Sequence, residues 1–349
     1  MKTKTKKVIN ISTHPKESED FIGHERAIDI IVQTIKSDKI PQAWLFAGPK
    51  GIGKATLAYR FARTLLAGNH ANGENLYLSP DDPTFTKIAN NSHSDLLVIE
   101  ALEGEDTIKI DEIRNINKLF RLTASQTKNR IVIIDSADDM NVNAANALLK
   151  MLEEPPHKAI IILITHNIGR LLPTVRSRCR TLNMHALSSE QARKILKQNI
   201  SDVLVEELDS LTYLANGSPG LAIELYNNNA LEIYKYITDI LKDTPNIKSN
   251  KIQKLADLVC EKDNKTSWSV MTYLFNSLLF RIIKSAAQNS NLADNAIMEE
   301  DLKRIITNKK SLEDLINISE EVGTLFTSTA GIHLDKRAVI ISIFEYFKK

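Results

Sequence analysis

Short apolar segments alternate with longer segments of helical periodicity between residues 40 and 185. Four of the five candidate strands are almost entirely apolar, as expected when helices cover both faces of a parallel sheet. The candidate strands are residues 43–47, 96–100, 131–135, 159–165 and 180–184, and helices are predicted to begin near Lys54, Asp111 and Asn143. This alternation predicts an α/β domain over residues 1–185, with helices on both faces of a parallel sheet.

Two other regions depart from this alternation. Residues 69–95 are polar and rich in turn-forming residues, and they predict a surface insertion between a helix and the second strand. After residue 185 the pattern is helical, which predicts a small helical domain over residues 186–243 and an all-α domain over residues 244–349. Predicted helices lie at 188–199, 203–215, 219–229, 252–260, 267–287, 299–323 and 334–347, with Ser188 and Ser218 as candidate N-caps.

Composition limits the class of protein. The length of 349 residues predicts two to three domains, and 45 basic against 43 acidic residues give no overall charge suited to a dedicated nucleic-acid binder. Cys179 and Cys260 are the only cysteines, so neither a disulfide framework nor a zinc site is expected. The apolar run at residues 159–164 is far shorter than the roughly 18–20 residues that span a bilayer. We therefore expect a cytoplasmic protein with no membrane partner.

A glycine-rich loop, Gly48-Pro-Lys-Gly-Ile-Gly-Lys54, follows the first predicted strand and precedes a predicted helix. Gly51 and Gly53 allow backbone N–H groups to turn toward phosphate oxygens, and Lys54 can reach the β- and γ-phosphates of a nucleotide. This spacing favours a site for ATP or ADP. Two alternatives remain at this point: a strand-to-helix turn with an unrelated lysine, and a loop that has lost its nucleotide.

The residues expected to handle Mg²⁺ are incomplete. Ala55 stands where such loops carry a Ser or Thr whose hydroxyl binds the metal. Thr56 is a candidate contact, but one residue of helix turns its side chain by roughly 100° away from that position. Asp135 ends the third predicted strand, where an aspartate can face Mg²⁺. Ser136 follows it and lacks the charge and reach of a general base. Nucleotide binding is therefore favoured over efficient metal-dependent hydrolysis.

Two segments resemble the AAA+ subunits of DNA-polymerase clamp loaders. They are Asn143-Ala-Ala-Asn-Ala-Leu-Leu-Lys-Met-Leu-Glu-Glu-Pro-Pro156 and Leu171-Leu-Pro-Thr-Val-Arg-Ser-Arg-Cys179, the second ending in the Ser-Arg-Cys motif of that family. The resemblance implies a RecA-like nucleotide-binding domain over residues 1–185, a helical lid over 186–243 and a C-terminal collar over 244–349 that holds a ring of subunits.

The resemblance also implies roles for individual residues. Arg178 would act as an arginine finger on ATP held by a neighbouring subunit, and Thr165 would occupy the sensor-1 position. The nucleotide would be ATP or ADP, with Mg²⁺ if it is bound. The implied partners are the loader's motor subunits and its clamp-opening subunit, and through the complex the sliding clamp and primer–template DNA.

The chain departs from this family's pattern in ways that predict its role. Motor subunits carry a sensor-2 arginine where this chain has Gly220, and the loss of that arginine joins the losses at Ala55 and Ser136. These departures predict a stator-like subunit that donates a finger and does not hydrolyse ATP efficiently. Many members carry a four-cysteine zinc module in the region of residues 69–95, which here contain no cysteine, so no zinc is expected. Residues 21–24 resemble the segment that closes over adenine.

Other interpretations remain open from the sequence. A self-sufficient AAA+ ATPase, either a loader motor subunit or a relative of branch-migration helicases, would use the glycine-rich loop catalytically. A nucleotide-sensing adaptor outside replication would keep the fold without the loader's partners. For Arg178, the alternative to a finger is a solvated basic edge or a contact with DNA phosphates.

Overall fold

The computed structural model describes residues 14–68, 71, 73–101, 107–121, 129–156, 158–200, 203–260, 265–288, 297–332 and 334–348. Within these residues, the chain forms two compact units. The N-terminal unit comprises residues 14–199 together with Gly217–Leu221, and the C-terminal unit comprises residues 203–216 and 222–348. The boundaries at residues 185 and 243 stay a prediction.

A five-stranded sheet forms the centre of the N-terminal unit, and every neighbouring pair of strands is parallel. The strands are β1 (Ala43–Ala47), β2 (Leu96–Glu100), β3 (Arg130–Asp135), β4 (Ala159–Thr165) and β5 (Arg180–Asn183), in the order β2-β3-β4-β1-β5. The predicted strands are confirmed to within one residue at each end. Because all strands run the same way, their carboxyl ends lie along one edge of the sheet.

Helices pack on both faces of this sheet. The helices of the unit are α1 (Glu25–Lys36), α2 (Lys54–Ala67), α3 (Pro83–Ala89), α4 (Ile110–Arg121), α5 (Val142–Glu153), α6 (Pro173–Arg176) and α7 (Ser189–Asn199), of which α1 and α2 cover one face and α4 and α5 the other. Trp44 and Phe46 of β1 pack with α1 and α2, whereas Leu45 packs with α4 and α5. This alternation along one strand gives the unit two hydrophobic clusters, and it confirms the predicted α/β fold class.

Part of the polar insertion folds onto the N-terminal unit. Helix α3 lies within it, and Phe85 and Ile88 of that helix are buried. Asp82 caps the helix by accepting a hydrogen bond from the amide of Thr84. The composition of residues 69–95 did not predict this helix, because its few apolar side chains are separated by polar turns.

The C-terminal unit is helical throughout its described residues. Its helices are α8 (Val205–Leu214), α9 (Pro219–Asn227), which begins in the N-terminal unit, α10 (Ala230–Leu241), α11 (Ser249–Val259), α12 (Lys265–Ala287), α13 (Ile297–Thr307), α14 (Leu312–Ile332) and α15 (Lys336–Glu345). The helix predicted at 299–323 is wrong, because the structure divides it between α13 and α14. Ser311 and Asp314 exchange side-chain-to-amide hydrogen bonds, which is a capping box that starts α14.

A buried polar cluster joins four helices of the C-terminal unit. Glu299 of α13 is 1% exposed and accepts hydrogen bonds from Arg281 of α12 at 2.8 and 3.0 Å. Tyr213 of α8 donates to the same carboxylate at 2.9 Å, and Tyr234 of α10 also donates to it. The cluster therefore links two helices of the predicted lid to two helices of the predicted collar. No helix within the described ranges is long and apolar enough to cross a membrane.

Candidate functional site

The glycine-rich loop lies at the carboxyl edge of the sheet, between β1 and α2. Gly51 and Gly53 have φ angles of +78° and +104°, in the left-handed region that favours glycine. Because α2 begins at Lys54, the unpaired N–H groups and partial positive charge of its first turn point toward the end of this loop. The loop thus has the strand–turn–helix geometry that suits an anion.

Lys54 is held inside this loop. The residue is only 3% exposed. Its ammonium donates hydrogen bonds to the carbonyl oxygens of Gly48 at 2.6 Å and Pro49 at 2.5 Å. Burial lowers the pKa of Lys54 to about 8, while the negative charges of Asp135 and Asp138 oppose that shift. The ammonium is therefore mostly protonated at neutral pH.

Thr165 ends β4, the strand next to β1, and Asp135 ends β3, the strand beyond it. The amide of Gly48 donates to the carbonyl of Thr165 at 3.3 Å, which joins the start of the loop to the end of β4. Burial, together with the negative charge of Glu100 on the adjacent strand, raises the pKa of Asp135 to about 6, although Lys54 opposes this shift. The structure thus brings together the predicted residues Gly48, Gly51, Gly53, Lys54, Asp135 and Thr165.

Asp138 belongs to this site although the sequence did not single it out. Its carboxylate accepts hydrogen bonds from the Thr165 hydroxyl, from the amide of His166 at 2.5 Å and from the amide of Asn167 at 3.1 Å. These three contacts fix the chain that leaves β4. The only signal in the sequence was the position of Asp138 shortly after β3, because its partners lie 27 to 29 residues further on.

The segment Gly217–Leu221 packs directly on the loop. The Ser218 hydroxyl donates to the carbonyl of Lys50 at 2.6 Å, and the amide of Gly220 donates to the carbonyl of Gly51 at 2.8 Å. A Cβ atom at residue 220 would lie 2.8 Å from the Cα of Gly51, which is closer than such atoms approach. A side chain at position 220 therefore does not fit while the loop holds this conformation.

Residues 21–24 contact the loop from the N-terminal side. A ring nitrogen of His24 lies 2.8 Å from the carbonyl oxygen of Ile52, and the rings of Phe21 and His24 stack with centroids 5.7 Å apart. Phe21 also covers Gly53, where an added Cβ would lie 3.2 Å from its ring. Burial lowers the pKa of His24. The carbonyl oxygen of Ile52 can only accept a hydrogen bond, so the ring nitrogen that faces it is the donor. The contact with adenine stays a prediction.

Thr56 is separate from these contacts. It lies in the first turn of α2 and is half-buried. Among the described residues, no side-chain hydrogen bond joins it to the loop. Its predicted role in nucleotide binding stays a prediction.

Arg178 lies at the opposite edge of the sheet, in the turn between α6 and β5. One terminal nitrogen of its guanidinium is 2.8 Å from Oε1 of Glu153, and the other donates to the carbonyl of Thr174 at 3.1 Å. Its side chain is 35% exposed. In the parallel pair β1–β5, Trp44 lies opposite Arg180. Arg178 therefore lies at the amino edge of the sheet, whereas Gly48 lies at its carboxyl edge.

Comparison with known proteins identifies relatives. A family model described as DNA polymerase III, delta subunit, matches residues 23–188. The delta' subunit of DNA polymerase III from Pseudomonas aeruginosa is 35% identical over 190 residues, which are 54% of this chain and 57% of that protein. The gamma subunit from Buchnera aphidicola is 29% identical over 266 residues, which are 72% of this chain and 70% of that protein.

One solved structure has a weaker likeness. A DNA polymerase III gamma subunit-related protein from Thermotoga maritima is 20% identical, with a TM-score of 0.41, over 93% of this chain and 100% of that chain. The chain also spans only part of the delta' relatives it matches, at 57% of the length of the Pseudomonas protein and 59% of that of Bacillus subtilis.

Proposed function

We propose that this chain, whose residues 23–188 match a family model described as DNA polymerase III, delta subunit, is the delta-prime subunit of a clamp loader. In this role it is a stator-like AAA+ subunit. It donates Arg178 as an arginine finger to ATP held by a neighbouring subunit while the complex loads the sliding clamp during DNA replication.

The position of Arg178 relative to the chain's own loop carries this proposal. Trp44 is level with Arg180 across β1 and β5, and Gly48 follows Trp44 by four positions, directly after the end of β1. At about 3.3 Å per residue, the sheet alone places roughly 13 Å between Arg178 and the loop. An arginine at the amino edge is distant from the chain's own loop at the carboxyl edge, which supports a role for Arg178 at a nucleotide held by another chain.

The chemistry of the finger follows from the guanidinium. It is always charged at neutral pH and presents several N–H donors in one plane, which match the oxygens of a phosphate. Placed on a γ-phosphate, it stabilises the negative charge that develops as the phosphoryl group leaves. Such fingers contribute about 10³- to 10⁵-fold in rate.

The chain's own site fits nucleotide binding better than hydrolysis. Lys54 and the N–H groups of the loop form a cationic cradle suited to the phosphates of ATP or ADP, and Asp135 is the carboxylate that would face Mg²⁺. Ala55 lacks the hydroxyl that would bind the metal. Ser136 lacks the charge of a general base. Gly220 packs on Gly51 where motor subunits carry an arginine, so no cationic side chain of that residue reaches the phosphates.

The proposed partners follow from this role. They are the loader's motor subunits, one of which would face Arg178, and the clamp-opening subunit. The sliding clamp and primer–template DNA would be contacted through the assembled complex.

The test is ATP turnover by a loader assembled with this chain or its Arg178→Ala variant, stimulated by clamp and DNA. We expect turnover at the neighbouring site to fall about ten-fold or more, which corresponds to about 1.4 kcal/mol in activation free energy. Arg176→Ala is the matched control, since Arg176 is an exposed arginine two residues away at the end of α6. Unchanged turnover with intact assembly would reject the finger.

A self-sufficient AAA+ ATPase is the second candidate. The retained Lys54, Asp135 and Thr165 around one loop favour it, as does the match with a relative named gamma subunit. ATP turnover by the isolated chain, lost in Lys54→Ala, would support this candidate. A chain that binds nucleotide yet fails to co-purify with loader subunits would instead be an adaptor outside replication.

A further inference from the structure

The backbone that carries Arg178 is fixed. Val175, three residues before it, is fully buried in the cluster beneath α4 and α5, and Cys179 packs on the same cluster. The amide of Arg178 donates to the carbonyl of Val175 at 3.2 Å, and that of Cys179 donates to Arg176 at 3.3 Å. Only the side-chain torsions of Arg178 are therefore free to set the direction of its guanidinium.

Two contacts restrict those torsions. Glu153 holds one terminal nitrogen of the guanidinium at 2.8 Å, and the Thr174 carbonyl holds the other at 3.1 Å. A free arginine side chain loses rotamer entropy when it is fixed, and a partner that orients it beforehand reduces the loss on binding. The guanidinium has five N–H donors, so two contacts leave others for phosphate oxygens.

Glu153 lies at a position where the helix dipole disfavours a carboxylate. It is the last residue of α5 and is followed by Glu154, which places two carboxylates at the negative end of a helix. Its side chain is 52% exposed, so burial does not explain its presence. Exposed ion pairs contribute little to stability, so the pair with Arg178 is a weak structural reason for a carboxylate at this position. Residues that break a local rule are expected at functional sites.

We propose that Glu153 is a positioning residue for Arg178. Its carboxylate accepts one N–H of the guanidinium and holds the finger in one direction before the neighbouring nucleotide arrives. This inference rests on the proposed function, because it assigns Glu153 a role only through Arg178.

The experiment compares loaders assembled with Glu153→Ala, Glu153→Gln and Glu154→Ala. Glu153→Ala is expected to lower kcat at the neighbouring site about three- to ten-fold, with the KM for ATP and the assembly of the complex unchanged, because misdirection acts on the transition state. Glu153→Gln recovers most of the rate, since its amide oxygen still accepts the hydrogen bond. Glu154→Ala is the matched control, removing an equally exposed charge one residue away.

A double-variant cycle separates positioning from a structural role. If Glu153 acts through Arg178, adding Glu153→Ala to Arg178→Ala lowers kcat no further. The inference would be overturned by an additive loss of kcat in the double variant. It would also be overturned by an unchanged or higher kcat in Glu153→Ala, or by a failure of Glu153→Gln to recover the rate. The proposed function fails separately, through a lack of effect of Arg178→Ala itself.

Discussion

The amide nitrogen of Gly220 donates to the carbonyl oxygen of Gly51 across 2.8 Å, although the two residues are 169 positions apart in the sequence. The contact is tight in both directions, because a Cβ at residue 51 would lie 2.6 Å from the Ser218 hydroxyl and one at 220 would lie 2.8 Å from the Gly51 Cα. The absence of side chains at these two glycines therefore allows the backbone of the loop to contact the backbone at the start of α9. An arginine at position 220 is incompatible with this arrangement.

We predict that Gly220→Ala lowers the free energy of unfolding of the N-terminal unit by about 1–3 kcal/mol, the usual effect of overpacking. The measurement is urea denaturation followed by the fluorescence of Trp44, in a Trp268→Phe background that removes the only other tryptophan. Gly73→Ala serves as the control, because an added Cβ there meets no atom within 4 Å. Equal stability of the two variants would contradict the observed packing.

Asp138 gives a second prediction about the same unit. Asp138→Ala removes the acceptor for the Thr165 hydroxyl and for two backbone amides, and we expect a loss of about 2–4 kcal/mol in unfolding free energy. The amides of His166 and Asn167 should also exchange hydrogen faster. Asp111→Ala, which removes an exposed ion pair with Arg114, should cost less than about 1 kcal/mol. A similar cost for both variants would show that the Asp138 contacts contribute little.

The strands could be predicted because the pattern that indicates each of them lies in a few consecutive residues. Each buried strand is a short run of β-branched or aromatic residues between polar turns, and β4 is buried at every position. The loop could be predicted for the same reason, because its glycines and Lys54 lie close together in the sequence. The gap between α13 and α14 was missed although Ser311 and Asp314 form a recognisable capping box, because the apolar periodicity continues on both sides of it.

The remaining parts of the site depend on contacts between distant segments. Nothing near Asp138 in sequence indicates that its partners are residues 165–167, and nothing near Gly51 indicates Gly220. Glu153 and Arg178 lie 25 residues apart on different elements, so their pairing appears only when α5 and the turn before β5 meet. Motifs identified these residues one at a time, whereas the fold determines which of them touch.

The cluster around Glu299 gives a prediction for the C-terminal unit. Arg281→Met leaves the carboxylate of Glu299 buried without its charged partner, and breaking such a pair costs about 3–5 kcal/mol. We expect faster hydrogen exchange in peptides from α8, α10, α12 and α13 together, measured by mass spectrometry. Arg337→Met, in an exposed pair with Asp257, is the control and should leave exchange in those helices unchanged. Faster exchange confined to α12 would contradict the view that the cluster joins the four helices.

The pKa of Lys54 predicts how nucleotide binding depends on pH. Burial holds this pKa at about 8, so the free chain loses the ammonium as the pH rises through that value. A bound phosphate favours the charged form and raises the pKa in the complex. Between the two pKa values, affinity for ADP should therefore fall about ten-fold per pH unit, with uptake of a proton on binding.

Isothermal titration of ADP at about pH 7 and about pH 9, each in two buffers of different ionisation enthalpy, measures both the affinity and the proton uptake. Lys54→Met should bind weakly at both pH values and take up no proton at this site. Its neutral side chain matches the deprotonated lysine in charge and approximate length. Equal affinity of the unmodified chain at the two pH values would show that the ammonium of Lys54 does not bind the phosphates.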